Sequence, residues 1–455
     1  MVIILLALLM IGLFIYLLAK NKLSILGALV LVPLLFGVII VLITKANFAD
    51  MFSWITDALF FEVNKKTGEI SLGVISPGLL ILFAVMYFDI MLNVGLFDPL
   101  CQFFIRKAKG DPLKVTMATV LTATVVTMNG DTTTTIIICT AAFLELYRSM
   151  KMKMIDLAIL IVAPIGIFNQ LPWGGPTISA SAALGVPVNV LFKSLLPGML
   201  AAEVFTIGLA YYFGLKERKR LCWCVEDSKN LDSQIIEKML DSVRKKDPEL
   251  KRPQYYWFNL ILTLAILYLL IAGVAHGAIL FMIGTAAALT VNYHKTSLIT
   301  GRIEAIAGDA LGPALASFGA AVFSGILTGS GMASGLASGI TMLIPHSLGA
   351  HMAPLYALIS APAIVYLPQD AFYFGIAKVI SKVMIGFGIS PVQAAVASMI
   401  GQSFRLISPV IPALYMLTES TKLNFIEFQK NYVKYCWPIF FIYVIVYALV
   451  GLLPI

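Results

Sequence analysis

The chain has 455 residues, of which 60% are hydrophobic and only 12% are charged, and its formal net charge is +8. Soluble domains have about half apolar and about a quarter charged residues, so this composition excludes a water-soluble fold of this size. It also argues against a nucleic-acid partner, because the basic residues lie in a few hydrophilic connections, where membrane lipid and the cytoplasmic side of a membrane account for them.

Apolar runs of about twenty residues match a hydrocarbon core of about 30 Å and predict membrane-spanning helices; a β-barrel would show short alternating segments instead. Ten spans are predicted, near residues 2–19, 23–43, 74–96, 155–185, 193–214, 257–273, 276–292, 303–328, 391–418 and 435–454. The first run has no basic region before it and is followed directly by Lys20 and Lys22, so we interpret it as a retained span and not as a signal peptide.

Two further apolar stretches, near 113–149 and 336–386, are each interrupted midway by polar residues. The interruptions are Asn129 to Thr135 in the first stretch and Pro368 to Asp370 in the second. Each stretch is too long for one crossing, and non-helical backbone at membrane depth needs protein or a water-filled cavity around it. Both stretches are therefore predicted to be helical hairpins that enter and leave the membrane on the same side.

Basic residues indicate the orientation of the spans. The one long hydrophilic connection, about residues 215–256, is rich in Lys and Arg and is predicted to be cytoplasmic. Counting crossings from it places both termini outside, and it places the following residues inside: Lys20, Lys22, Arg106, Lys107, Lys109, Arg148, Lys151 and Lys153. Lys378 and Lys382 fall outside, against the rule.

The two halves of the chain echo each other. Residues 84–100 resemble 320–336 in spacing and in the glycines Gly95 and Gly331, and a hairpin tip follows in each half. Each half then has a span broken by Gly, Pro or polar residues, at 169–177 and at 402–409. The fold is predicted to be an all-α polytopic membrane protein with a scaffold and a transport domain. It comprises a first inverted repeat (1–214), a linker (215–256) and a second repeat (257–455), each repeat with five spans, a re-entrant hairpin and a broken helix (155–185 and 391–418). Such paired interruptions point to a transporter binding site at mid-membrane.

Polar groups at these interruptions are the candidate site. Hydroxyls and free N–H groups at a helix start suit an anion, and unwound carbonyls suit a hard cation. The candidates for substrate binding are Asn129, Gly130, Thr132, Thr133, Thr134, Asn169, Gly174, Gly175, Thr177, Gln369, Gln402, Ser403, Arg405 and Ser408. Asp131 and Asp370 would hold a metal or coupling cation, or carry a proton. The alternatives are that Asn129 and the threonines only cap a helix and Asp131 ends one, that Asp370 lies in a solvated loop, and that the break at 169–177 is a simple kink.

Three charged side chains inside apolar spans leave alternatives open. Arg405 could bind a substrate carboxylate, pair with Asp370, or extend to the membrane surface from a helix end. Asp89 and Glu203 are either members of a proton relay or buried structural acids, and neither is repeated in the other half.

These motifs resemble the citrate–metal–proton symporter family, within the ion transporter superfamily, over nearly the whole chain. The pieces that carry the resemblance are Met86–Phe88 with Gly95–Pro99, Gly130-Asp131 and its threonines, Leu171–Thr177, Asp370–Gly375, Gly401-Gln402 and Ser408-Pro409. The family pattern has Gly-Asp-Gly-Ser-Thr-Thr, whereas here Thr132 and Thr133 follow Gly130-Asp131, which puts the preferred metal in doubt.

The resemblance implies proton-coupled import of a citrate–metal complex across a bacterial plasma membrane by a homodimer, with no prosthetic group. The metal, Mg, Ca, Mn or Fe, would be carried as part of the substrate. The alternatives are a carrier of another carboxylate and a cation/proton antiporter on the same fold. A passive channel and an intramembrane enzyme are remote alternatives, since an enzyme would need a catalytic cluster at the membrane surface.

Overall fold

The computed structural model describes residues 2–20, 22–63, 70–108, 110–223, 250–349, 351–409 and 411–454. Most of the predicted cytoplasmic loop, including Arg244, Lys245 and Lys246, lies outside the described residues. The described part of the chain is helical, which confirms the predicted fold class, except for one pair of short antiparallel strands, β1 (Phe61–Val63) and β2 (Ile70–Leu72).

The helices follow one another with short connections. In chain order they are α1 (Val2–Ala19), α2 (Ile25–Thr44), α3 (Phe48–Phe60), α4 (Ile75–Asn93), α5 (Asp98–Ala108), α6 (Pro112–Thr127), α7 (Thr132–Ser149), α8 (Met154–Phe168), α9 (Gly175–Leu184), α10 (Val188–Arg220), α11 (Tyr256–Ala272), α12 (Gly277–Asn292), α13 (Thr296–Gly329), α14 (Met332–Leu343), α15 (His346–Gly349), α16 (Met352–Tyr366), α17 (Lys378–Gly386), α18 (Pro391–Ile400), α19 (Pro412–Thr421) and α20 (Phe425–Leu449). A 3-10 turn precedes α11 at Pro253–Tyr255, a π-helical turn spans Ala371–Ala377, and a second 3-10 turn spans Gly401–Ile407.

Seven stretches of the described chain are long and apolar enough to cross a membrane, among them α2, α4, α10, α13 and α20. The helices α8 and α12, at the predicted spans 155–185 and 276–292, are shorter apolar helices, and so are α6 and α16 at the predicted hairpins. Large apolar side chains cover the outer surface: Val204, Trp257 and Tyr268 are each 70% exposed. Exposing so much apolar surface to water is unfavourable, so these faces contact lipid.

The two predicted hairpins are present, with one difference in extent. The first consists of α6 and α7, close to the predicted 113–149. The second consists of α16 followed by the π-helical turn and α17, and therefore begins at 352 instead of 336. Residues 332–349 form α14 and α15, which are divided at Pro345 because proline disfavours helical backbone at Ile344 before it.

The helices pack as two groups. In the first group α4 packs against α12 and α13, and α13 also packs against α2 and α3. In the second group α10 packs against α6, α8 and α20, while α16 packs against α18 and the 3-10 turn at 401–407. Helix α9 contacts both groups, with α4 and α13 on one side and α18 and the π-helical turn on the other. The short α9 therefore lies at the centre of the molecule.

Candidate functional site

The first hairpin tip is organised by its aspartate. Asp131 is the N-cap of α7, and its carboxylate accepts hydrogen bonds from the N–H groups of Thr133 (3.2 Å) and Thr134 (2.6 Å). Asn129 Oδ1 in turn accepts from the Asp131 N–H at 2.7 Å. Asp131 therefore caps the start of α7 instead of ending a helix, and two of the free N–H groups expected to face an anion are already bonded.

The second hairpin tip is held by the first half of the chain. Ser179 on α9 donates its hydroxyl to Asp370 Oδ1 at 3.0 Å, and Gln369 Nε2 donates to the same hydroxyl oxygen at 3.2 Å. The π-helical turn begins directly after Asp370. Such turns insert an extra residue into a helix and occur often at functional sites.

The break between α8 and α9 joins these tips. Trp173 Nε1 donates to the carbonyl of Met128 at the first tip (2.9 Å), and its ring stacks on Phe88 of α4 at 4.5 Å. The chain turns so tightly here that a Cβ on Gly174 would lie 2.0 Å from the Asn169 carbonyl oxygen. Only glycine fits that position, which explains why the broken span needs it.

A cavity of about 800 Å³ lies between the two helix groups and brings both tips and both breaks together. The predicted residues that line it are Asp89, Asn129, Gly130, Asp131, Thr132, Thr134, Asn169, Gly175, Gln369, Asp370 and Arg405. We call it the central cavity. It also takes in Ser24 between α1 and α2, and Asp309 and Ser317 of α13.

The other predicted residues surround the cavity without lining it. Thr177, Ser403 and Ser408 donate to the backbone carbonyls of Gln170, Ile400 and Val365 at 2.8, 2.9 and 2.6 Å. Gln402 donates to the Tyr373 hydroxyl at 2.8 Å. Thr133 and Gly174 do not line the cavity, and Glu203 lies on α10 beside the first hairpin. These residues stabilise the breaks and the hairpins.

Arg405 lines the central cavity from the second 3-10 turn. Its Nη1 donates to the carbonyls of Ile364 (2.7 Å) and Leu367 (3.0 Å), at the C-terminal end of α16. Asp370 lines the same cavity, but the two described side chains form no ion pair. The guanidinium therefore fixes the second hairpin and adds a positive charge to the cavity wall.

The charged groups among the described residues that line the central cavity are four carboxylates and one guanidinium: Asp89, Asp131, Asp309, Asp370 and Arg405. Sequence reasoning missed Asp309, although an acid within the predicted span 303–328 was a sufficient signal. It also missed Ser179, whose role depends on contact with a residue 191 positions later in the chain. Among the described residues no group of three His, Cys, Asp or Glu is arranged to hold a metal ion.

Comparisons with known proteins agree on one class. A family model described as "Citrate transporter" matches residues 1–401. A "Citrate transporter" of Bacillus subtilis (strain 168) is 35% identical over 97% of both chains. A "Mg(2+)/citrate complex secondary transporter" of the same organism is 31% identical over 94% of this chain and 93% of that one. The Alcanivorax borkumensis YdaH transporter, whose crystal structure shows an unusual topology, matches the fold with a TM-score of 0.54 and 14% identity over 92% of this chain and 98% of that one.

Proposed function

Because the chain belongs to the citrate transporter family, we propose that it is a secondary transporter that imports a citrate–metal complex together with protons. The observation that carries this proposal is the charge of the central cavity, whose described lining residues include four carboxylates and one guanidinium. Fully ionised citrate has three negative charges and would be repelled there. A divalent metal reduces the charge of the complex to one, and gives the aspartates a cation to face. The printed name of the Mg(2+)/citrate relative agrees with this cargo.

In this proposal Arg405, the hydroxyls of Thr132 and Thr134 and the N–H of Thr132 bind citrate oxygens, because these residues are among the donors that line the cavity. Asp131 and Asp370 face the metal from opposite hairpin tips. A cavity of about 800 Å³ lies within the range of small-molecule sites.

The two halves would be inverted repeats of a homodimeric protein in a bacterial plasma membrane. The succession of elements supports this: α4 to α10 match α13 to α20 in order, with a hairpin and then a broken helix in each. The first helix group would be the scaffold and the second the moving transport domain, with both termini outside and residues 215–256 cytoplasmic.

The test is accumulation of radiolabelled citrate in proteoliposomes under an inside-alkaline gradient, with and without Mg²⁺, Ca²⁺, Mn²⁺ or Fe³⁺. We expect uptake that requires one of these metals and collapses with a protonophore. Uptake without any metal would remove the complex from the proposal, and uptake that persists with the protonophore would remove the proton. Uptake of other di- and tricarboxylates instead of citrate would favour the variant that carries another acid.

Contacts of Glu203 support proton coupling. Glu203 is 8% exposed, and its Oε1 lies 2.6 Å from the hydroxyl oxygen of Thr124 on α6. That hydroxyl also lies 2.9 Å from the Val120 carbonyl, yet it has a single hydrogen to donate. Both contacts are satisfied when Glu203 is protonated and donates to Thr124. Its Oε2 has no partner among the described residues. An ionised carboxylate oxygen without a partner at membrane depth would cost a large free energy, so this arrangement favours the protonated acid.

Replacement of Glu203 by Gln is expected to separate transport from the proton gradient. The amide of the introduced glutamine can donate to Thr124 as the protonated acid does, so the fold and the exchange of internal for external citrate should persist. Accumulation driven by the pH gradient should be lost, because the position no longer releases a proton. The exposed Glu419→Gln is the matched control and should keep both activities. Gradient-driven accumulation that survives in E203Q would show that Glu203 is only a structural acid.

A further inference from the structure

A second cavity, of about 430 Å³, lies beyond the central one. Its walls come from the start of α4, the end of α9, the connection between α9 and α10, and the connection between α11 and α12. Ser324 of α13 also lines it. We call it the outer cavity, because the predicted orientation places these connections outside. The central cavity includes Ser24, next to the basic Lys22, and so lies toward the inside.

The two cavities are lined by successive parts of the same three helices. On α4, Pro77 and Leu80 line the outer cavity and Val85 and Asp89 the central one. On α9, Ser181 lines the outer cavity and Ser179 the central one. On α13, Ser324 lines the outer cavity and Ser317 the central one. The cavities therefore succeed each other along one path.

A small apolar cluster, separate from the main core, occupies the part of the path between them. Its buried members are Ile81, Ile178 and Ala314, from α4, α9 and α13, and Phe318 packs against them. The Phe318 ring lies so close to α4 that a Cβ on Gly78 would be 2.2 Å from it. We call these four side chains the barrier. Two of them, Ile81 and Ile178, also line the central cavity on the side that faces the outer one.

The polar walls of the outer cavity differ in charge from those of the central one. No aspartate or glutamate is among the described residues that line it. Ser76, Asn189 and His276 line it, and Lys193 Nζ lies 3.9 Å from where a Cβ on Gly273 would be. His276 bonds to Ser76 at 2.6 Å, and Lys193 adds a positive charge beside these polar groups.

We propose that the outer cavity is a second binding site, which takes the anionic metal–carboxylate complex from the outside before the barrier opens into the central cavity. This inference rests on the proposed function for its ligand. Neutral donors and a lysine attract a complex of charge −1. The barrier of Ile81, Ile178, Ala314 and Phe318 then keeps the complex and protons from crossing while the central cavity faces inward.

A pair of cysteine variants tests this placement. Ala182 lines the outer cavity and Ala316 the central one, and both are partly buried. Each is replaced by Cys in a background without Cys222 and Cys224; the other native cysteines, Cys101, Cys139 and Cys436, are buried. We expect a membrane-impermeant thiol reagent to label Ala182→Cys from outside intact cells and Ala316→Cys only from the inside, in inverted vesicles. External Mg²⁺ and citrate at about ten times their dissociation constant should slow labelling of Ala182→Cys about tenfold.

Labelling of Ala182→Cys only from the inside, or labelling that is unaffected by Mg²⁺ and citrate, would overturn the proposal. In a second measurement Lys193→Gln should raise the KM for uptake about two- to fivefold and leave kcat unchanged, as expected for one exposed charge. An unchanged KM would remove Lys193 from the site. Citrate uptake by the unmodified protein is measured in parallel, so failure of the proposed function is recognised separately.

Discussion

Replacement of Arg405 by Ala is expected to lower citrate uptake about 100-fold. The guanidinium is the one positive group among the described residues that line the central cavity. Charge-assisted hydrogen bonds contribute up to about 3 kcal/mol, which corresponds to about that factor in affinity. Uptake by proteoliposomes with matched amounts of reconstituted protein measures the loss.

Two further variants separate the roles of Arg405. Its Nη1 already donates to the carbonyls of Ile364 and Leu367, so Ala would also leave the end of α16 uncapped. Arg405→Gln can donate to one of these carbonyls without charge, and Arg405→Lys keeps the charge but not the planar fork. We expect both to unfold near the wild-type temperature and to transport poorly. Wild-type uptake in the Gln variant would show that Arg405 only caps the second hairpin.

Replacement of Asp131 by Asn is expected to reduce uptake at least about 30-fold while leaving the fold intact. Asn is as good an N-cap as Asp, because its one side-chain oxygen can still accept from the N–H of Thr133 or Thr134 and keep the start of α7 capped. What is lost is the negative charge that would face the metal. Asp131 is exposed to the cavity in this structure, and a bound complex would bury it against the metal. Truncating one member of a charge pair buried in this way costs about 2 kcal/mol or more, which is about 30-fold in affinity.

Comparison with Asp131→Ala separates the cap from the charge. The Ala variant loses both and should also lose about 1 kcal/mol of stability, visible as a lower melting temperature. Glu145→Gln, an exposed acid on the same helix, is the matched control and should transport normally. Full metal-dependent uptake by Asp131→Asn would reduce Asp131 to a helix cap.

The two hairpins and the two breaks were predictable because their signals are local. Asn129 to Thr135 interrupts an apolar stretch with residues that start helices, and Gly174 with its neighbouring prolines cannot continue one. Composition gave no comparable signal for α14, since its sequence is nearly as apolar as that of α16 in the following hairpin. The start of the second hairpin was therefore placed too early.

Contacts between distant residues were the part that could not be predicted. Thr177 and Ser408 were expected in the site because they have hydroxyls in broken spans, but both hydroxyls bond to backbone carbonyls. Which partner a hydroxyl meets depends on how the helices pack, and Val365 is 43 positions from Ser408. Ser179 was not predicted for the same reason, because its contact with Asp370 also depends on how the helices pack. Residues such as Asn129 and Arg405 do line the cavity, and their roles there stay predictions.

The bond between Ser179 and Asp370 has a consequence for how the protein is made. Ser179 is inserted into the membrane long before Asp370 has been synthesised. The Ser179 hydroxyl on α9 therefore lacks its Asp370 partner until the second half has been made. Neither half alone contains a complete cavity, because each contributes one tip and one break. A chain truncated after the linker would contain only half of the site. Two separately expressed halves would have to associate in the bilayer before they could transport substrate.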